Sequence, residues 1–465
     1  MRAPTDPGSF RDREGQVFYS SDRVCRALSA LALEEWEALA GADFFIRAMQ
    51  ERRVVNTRRV PLPPDAPPAP AQAWAGALEH DRIPFISYPY EWSFGMLQDA
   101  ALLQLDLLAE ALQAGFILKD SSSYNVQWCG TRPVFIDVPS FQRHAPNEPW
   151  TGYLQFCQLF LFPLMLTAYQ DLPFHPWLRG AIDGITPEAA NRLLSGRARW
   201  RRGVFTHAYL QSRLQAATAD ARHSMRRTLS DSGFSRELIF TNVRGLRRLV
   251  SSFRWRQKSS AWVAYRETHS YTDEDYEAKR RFVATAAAAA PRALVWDLGC
   301  NTGDFARVCL DHADYVVALD ADPLAIERLY RELRNTGEQR ILPLVGNLTD
   351  PSPGLGWQGA ERRPLPTRGR PDLVLALALL HHLVIAANVP LDAVVDWLAS
   401  LGGDLVIEFV AREDPMVQRL LLNKDDRYAD YALERLEQAL SRNFQIESRL
   451  ELKSGTRTLI HARRP

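Results

Sequence analysis

Residues 297–303 read Asp297-Leu298-Gly299-Cys300-Asn301-Thr302-Gly303, between the apolar run ALVWDL (293–298) and a helical pattern that opens near Gly303. In an open α/β sheet, the ligand binds where a strand turns through glycines into a helix. Gly299 and Gly303 allow the backbone to approach a ligand closely. Asn301 stands where a third glycine is usual, and asparagine is the residue that next best tolerates left-handed backbone. Asp297 offers a carboxylate just ahead of the turn. The spacing is GxxxG with an acid two residues ahead, so the GxGxxG fingerprint of nicotinamide dinucleotide domains is absent.

Outward from this turn, apolar strands alternate with amphipathic helices. The helical EAKRRFVATAAAAA stops at Pro291. There follow the strand YVVALD, the helix PLAIERLYRELR, the strands ILPLV and DLVLALAL, the helix VPLDAVVDWLASL and the strand DLVIEFV. This order predicts a mostly parallel sheet with helices on both faces. FQIESRLELK, the turn SGT and RTLIHARR close it as an antiparallel hairpin. Asp320 ends the second strand, where a carboxylate can accept both ribose hydroxyls of a nucleoside. Asn347 and the backbone N–H of Leu348, after the third strand, face the adenine, and Tyr271 is placed to cover the ligand. The set reads as an S-adenosylmethionine site, with Asp297 taking the methionine ammonium, in a Rossmann-like class I methyltransferase domain.

On the acceptor side, DLVLALALLHHL carries no Asn-Pro-Pro-aromatic motif and no metal-binding acid. His381 and His382 follow that strand as candidate catalytic bases, since a neutral imidazole can take a proton as the methyl moves. Packing or capping histidines are the plainer alternative, and methyl transfer can run on in-line positioning alone. The insertion TDPSPGLGWQGAERRPLPTRGR (349–370) is long for a loop inside a compact domain, a length usually tied to function. Glu361 and Arg362, with Arg363, are candidate contacts for an anionic acceptor. Glu408, at the end of the fifth strand with Arg412 and Asp414 behind it, is another.

A chain of 465 residues calls for two or three domains. The boundaries read as residues 1–196, a helical, arginine-rich connector over 197–264, and the methyltransferase domain over 265–465. In the first part a long helix leads to Asp120, Asn125 follows five residues later and Asp137 twelve after that. This order resembles the catalytic-loop Asp, the metal-binding Asn and the strand-end Asp of protein-kinase-like folds. No glycine-rich phosphate loop precedes residue 60, and the basic residue of the early strand is Arg26 where a lysine is expected. An α+β kinase-like domain that does not transfer phosphate is the expectation.

Forty-six per cent hydrophobic and 24 per cent charged residues with a net charge of +1 give no overall bias toward nucleic acid or membrane. The polar start lacks an apolar signal core, which makes the cytoplasm the default. Leu154–Tyr169 is the most apolar run. Its 16 residues contain Gln155, Gln158 and Pro163, whereas a membrane span needs about 20 apolar ones, so a buried helix is expected. Five cysteines without CxxC spacing suggest reduced thiols and no bound metal.

IPFISYPYEW, LKDSSSYNVQW, FIDVPSF, WDLGCNTG, NLTDPSPGLGW, ERRPLPTRG, DLVLALALLHHL and IEFVAREDPMVQRLL together resemble a bacterial family of fused proteins, the nodulation-associated NoeA-like methyltransferases, over nearly all of residues 10–465. The resemblance implies a class I methyltransferase fused to an N-terminal domain. It also implies a small-molecule acceptor, sugar-related or a secondary metabolite, and carries the cofactor role onto Asp297, Gly299, Gly303 and Asp320. Two other functions are compatible with the residues: a bifunctional kinase and methyltransferase, and a binding protein that senses the cofactor.

Overall fold

The computed structural model describes residues 3–69, 73–213, 236–257, 272–422, 424, 428 and 430–465. These fall into two compact units. Unit 1 comprises Met1–Trp128, Pro133–Gln257 and Gly354–Arg362; unit 2 comprises Cys129–Arg132, Lys258–Pro353 and Arg363–Pro465.

Unit 1 opens with β1 (Gly15–Ser20), β2 (Arg23–Leu28), β3 (Thr57–Val60) and β4 (Gly76–His80), an antiparallel sheet in the order β1-β2-β4-β3. The helices Ala30–Ala40 and Asp43–Gln50 lie between β2 and β3. Ser29 caps the first by accepting from Ala32 N, satisfying one of the N–H groups every helix start leaves open. The helix Phe94–Gln113 buries most of its length, since Met96, Leu97, Ala100, Ala101, Leu105, Leu107, Leu108 and Ala111 are sealed from solvent. Two short two-stranded sheets follow: β5 (Phe116–Leu118) runs antiparallel to β8 (Phe141–Arg143), and β6 (Val126–Cys129) pairs with β7 (Arg132–Phe135), Cys129 and Arg132 being counted with unit 2. The apolar run after Leu154 is a buried helical stretch over 153–170 with a π turn at Cys157–Leu161. No helix among the described residues is long and apolar enough to cross a membrane.

The expected connector over 197–264 does not stand apart. Its described residues up to Gln257 belong to unit 1. The helix Arg236–Ser252 buries Ile239, Val243, Leu246, Leu249 and Val250, a stripe at helical spacing that must be covered. It packs on Phe94–Gln113, where Gln98 Nε2 donates to Val250 O at 2.7 Å and Arg247 pairs with Asp106. Nor is the expected domain over 265–465 continuous, because residues 354–362 are built into unit 1. That segment closes on itself through Leu355 N to Arg362 O (3.0 Å) and Arg362 N to Leu355 O (3.1 Å).

Unit 2 carries β9 (Arg292–Leu298), β10 (Ala313–Asp320), β11 (Ile341–Val345), β12 (Leu373–Ala376), β13 (Asp404–Val410), β14 (Gln445–Glu451) and β15 (Arg457–Arg463). The sheet order is β11-β10-β9-β12-β13-β15-β14. The first five strands are parallel, β15 runs antiparallel to β13, and β14 is antiparallel to β15. This is the α/β arrangement with a terminal hairpin that the sequence predicts. After β9 the chain winds outward to β10 and β11, then crosses back to β12 on the other side of β9. The switch point falls between β9 and β12, and the turn at 299–303 lies at the carboxyl end of β9. The core between sheet and helices is apolar, with Val295, Val316, Ala318, Leu329, Ile341, Leu375 and Val406 among its fully buried members.

Candidate functional site

The turn after β9 needs left-handed backbone at three places: Gly299 (φ +78°), Asn301 (φ +48°) and Gly303 (φ +77°). An added Cβ on Gly303 would lie 2.7 Å from Leu329 Cδ1 of the helix Pro323–Thr336, so a side chain fits there only if Leu329 shifts. Asn301 takes the conformation its residue type tolerates. The Asp320 carboxylate fastens the turn, accepting from Asn301 N at 2.8 Å through Oδ2 and from Asp322 N at 2.9 Å through Oδ1. Burial raises its pKa, and those two backbone donors oppose the rise. Asp322 then caps the helix Pro323–Thr336 by accepting from Leu324 N at 2.9 Å. One short run, Asp320-Ala321-Asp322, thus joins turn, strand and helix.

Asp297 is 3% exposed, and its Oδ2 has no hydrogen-bond partner among the described residues. Burial pushes its carboxyl up to about 7, against the pull of Lys279. Asn347 lies exposed after β11, its Oδ1 accepting from Thr349 N (3.0 Å) and Thr349 Oγ1 (2.8 Å), and Leu348 beside it is half-buried. Tyr271 lies outside the described residues.

β12 stops at Ala376, sooner than its apolar run suggests, and Ala378 adopts a left-handed φ of +49°. Such a conformation costs an alanine of order 1 kcal/mol, and strain of this kind clusters at functional sites. His381 and His382 follow, their rings tilted with centroids 4.0 Å apart. His381 is wholly buried and neither ring nitrogen finds a partner among the described residues. Burial holds its pKa well below the usual imidazole range, with His382, Arg457 and Lys279 adding to the effect. Burial brings the half-buried His382 down to about 4.

Glu408 is not at a mouth open to an acceptor. It is fully buried, paired with Lys279 Nζ at 2.6 Å and with Arg457 Nη1 at 3.4 Å. Arg457 in turn binds Asp414 through Nε at 2.8 Å. The sequence reading missed Lys279 and Arg457. A signal was present: Asp275, Lys279, Val283 and Ala286 form the buried stripe of the helix Asp273–Ala288, so two charges interrupt an apolar face.

Glu361 and Arg362 are also corrected, since both belong to unit 1. Glu361, 5% exposed, accepts from Arg11 Nε (2.9 Å) and Nη2 (2.5 Å) and from Trp357 N (2.9 Å). The Arg362 guanidinium lies 4.2 Å from the Tyr124 ring centroid. Glu361 therefore spends its charge on holding the 354–362 hairpin in place. The Asp120, Asn125 and Asp137 trio does gather in unit 1. Ser140 Oγ donates to Asp137 Oδ2 at 2.5 Å and accepts from Asn125 Nδ2 at 3.5 Å, while Asp120 Oδ1 accepts from Ser122 N at 3.0 Å. Burial and, next, Asp137 raise the Asp120 pKa. Arg26 Nη1 binds Asp137 Oδ1 at 2.9 Å, so both oxygens of Asp137 are engaged.

Comparison with known proteins gives a likeness in sequence over almost the whole chain. The chain is 36% identical to nodulation protein NoeA of Rhizobium meliloti (strain 1021), over 97% of this chain and 94% of that protein. No family model matches. Among solved structures, the N-methyltransferase NodS from Bradyrhizobium japonicum WM9 in complex with S-adenosyl-L-homocysteine is 15% identical. It covers 44% of this chain and all of that one, at a TM-score of 0.32. The PH0226 protein from Pyrococcus horikoshii OT3 is 16% identical over 43% of this chain and 98% of its own, also at 0.32. At such scores the fold rests on the strand order given above.

Proposed function

We propose, for a chain that belongs to the family of nodulation protein NoeA, the function of an S-adenosylmethionine-dependent methyltransferase acting on a small-molecule acceptor. The observation that carries this reading is the turn at 299–303 fastened by Asp320, with Asp297, just ahead of it, holding an oxygen that has no partner among the described residues. These residues fit the cofactor. Asp297 offers a buried anion to the methionine ammonium. Each Asp320 oxygen has accepted one backbone N–H and keeps a lone pair for a ribose hydroxyl. When bound, the cofactor supplies a methyl group on a positively charged sulfur. His381 and His382, both kept neutral by burial, are the candidate bases for a proton from the acceptor, with His382 the more exposed of the two. Asn347 and Leu348 contribute to the adenine side, and Tyr271 to its cover.

For unit 1 we read a kinase-like fold without phosphate transfer that aids acceptor binding. The order β1-β2-β4-β3, the two helices after β2 and the convergence of Asp120, Asn125 and Asp137 support the fold. The Arg26–Asp137 pair speaks against activity, because it occupies the acid that would hold magnesium. Calorimetry with S-adenosylmethionine and S-adenosylhomocysteine tests the first reading, with one cofactor bound per chain as the expected result. Metabolites of a deletion strain that are lighter by one methyl group identify the acceptor. Failure to bind either cofactor refutes the proposal.

A further inference from the structure

Four buried side chains of alternating charge run through unit 2: Lys279 from the helix Asp273–Ala288, Glu408 from β13, Arg457 from β15 and Asp414 at the start of the helix Pro415–Leu421. The links are 2.6 Å, 3.4 Å and 2.8 Å, and all four are at most 3% exposed. Stability alone is a weak reason for such a chain, because apolar residues of the same volume often serve as well. In the sheet Asp297 of β9 is in register with Leu375 of β12, and Leu375 with Val406 of β13, so Asp297 and Glu408 stand on the same face two strands apart. Lys279 Nζ, held by Glu408, lies 4.7 Å from the ring of Phe305 in the helix Asp304–Cys309 that follows the turn. Asp297 and His381 are buried there with polar atoms that have no hydrogen-bond partner among the described residues. Lys279 acts on both, favouring the charged form of Asp297 and the neutral form of His381. Those are the two forms that the proposed cofactor capture and proton transfer require.

We propose that Lys279, clamped by Glu408, is a positioning residue for cofactor capture, holding Asp297 as the carboxylate that receives the cofactor's ammonium. The inference rests on the cofactor site proposed above. The groups acting on Asp297 are Lys279 from its helix, Asp320 from β10, and the Ala306 backbone N–H and Asp304 from the helix that follows the turn. The Cys300 and Cys309 thiols feel Asp297 in turn, while Glu408 and Arg457 stand behind Lys279. Lys279 is the cation of this set that acts directly. Without it, two acids and burial favour the protonated form against the Ala306 backbone N–H alone, and the ammonium must displace a proton to bind. Apparent affinity then falls about tenfold for each pH unit below the Asp297 midpoint.

The test is calorimetry of the full chain with S-adenosylhomocysteine from pH 6 to 8.5. Lys279→Met leaves Glu408 one cation short and can unfold the protein, so it is paired with Lys279→Met/Glu408→Gln, which removes both charges. The wild type is expected to lose affinity below about pH 7. The double variant is expected to turn down at least one pH unit higher, binding about 10-fold more weakly at pH 7 and recovering toward pH 8.5. Titrations in two buffers of different ionisation enthalpy should show its proton release extending to higher pH. A folded double variant with the wild-type midpoint, or with one uniform loss at every pH, overturns the role of Lys279. A wild type that binds no S-adenosylhomocysteine at any pH overturns the cofactor reading itself, a distinct result.

Discussion

Replacing Asp320 by alanine removes an acceptor for two backbone donors, Asn301 N at 2.8 Å and Asp322 N at 2.9 Å, together with two lone pairs available to a ribose. A hydrogen bond to a charged group contributes about 1.5 to 3 kcal/mol. Loss of the ribose contacts alone should therefore weaken S-adenosylhomocysteine binding roughly 10- to 150-fold. The freed turn adds to this, because Asn301 at φ +48° loses the bond that fixes it. Asp320→Asn keeps one acceptor oxygen and turns the other into a donor, so it should fall between wild type and alanine. Calorimetry at pH 8 reads the affinities, and thermal melting shows that each variant folds. An Asp320→Ala protein that is folded and binds with unchanged affinity would refute both the ribose assignment and the account of the turn.

His381→Leu should raise the melting temperature of the cofactor-free protein, because it replaces a buried imidazole whose nitrogens find no partner among the described residues. It should also cut turnover of the identified acceptor by about 100-fold or more while sparing cofactor affinity; a stability loss with normal turnover would mark a packing role. Gly303→Ala meets both a φ of +77° and a Leu329 methyl at 2.7 Å, so a drop of about 2 kcal/mol or more is expected in urea unfolding. ATP with magnesium should not raise the melting temperature, and a radiolabelled assay should find no phosphate transfer; labelled product that vanishes in Asp120→Ala would restore the bifunctional reading. His80, His175, His207, His381 and His382 are all held neutral by burial, at about 3 for His80, about 4 for His175, His207 and His382, and well below the ordinary value for His381. Their pKa values are depressed, so below about pH 6.5 the unfolded chain binds protons the native state refuses. The raised carboxyls of Asp297, Asp120 and Asp320 act the other way, but the five rings outnumber them, so stability should fall from pH 6.5 toward 4. A melting temperature that rises over that range would refute this balance.

Local information in the sequence settled the sheet of unit 2. Strand and helix periods, Pro291 as a stop, the glycine turn and the closing hairpin each act within a few residues, and they specify a mostly parallel sheet with an antiparallel hairpin while leaving the order of its strands to the fold. Gly299, Asn301, Gly303 and Asp320 were legible for the same reason, since backbone sterics and one acid at a strand end need no distant partner to be recognised. The trio Asp120, Asn125 and Asp137 was legible as a spacing, but the occupation of Asp137 by Arg26, 111 residues away, was not. What only the tertiary structure decided is where charges find their counterions. Lys279 and Glu408 are separated by 129 residues, Glu361 and Arg11 by 350. In sequence each of these side chains looks solvated or poised for a substrate. The packing of elements far apart in the chain turns them into buried pairs, because a charge removed from water is stable only where the fold supplies a partner.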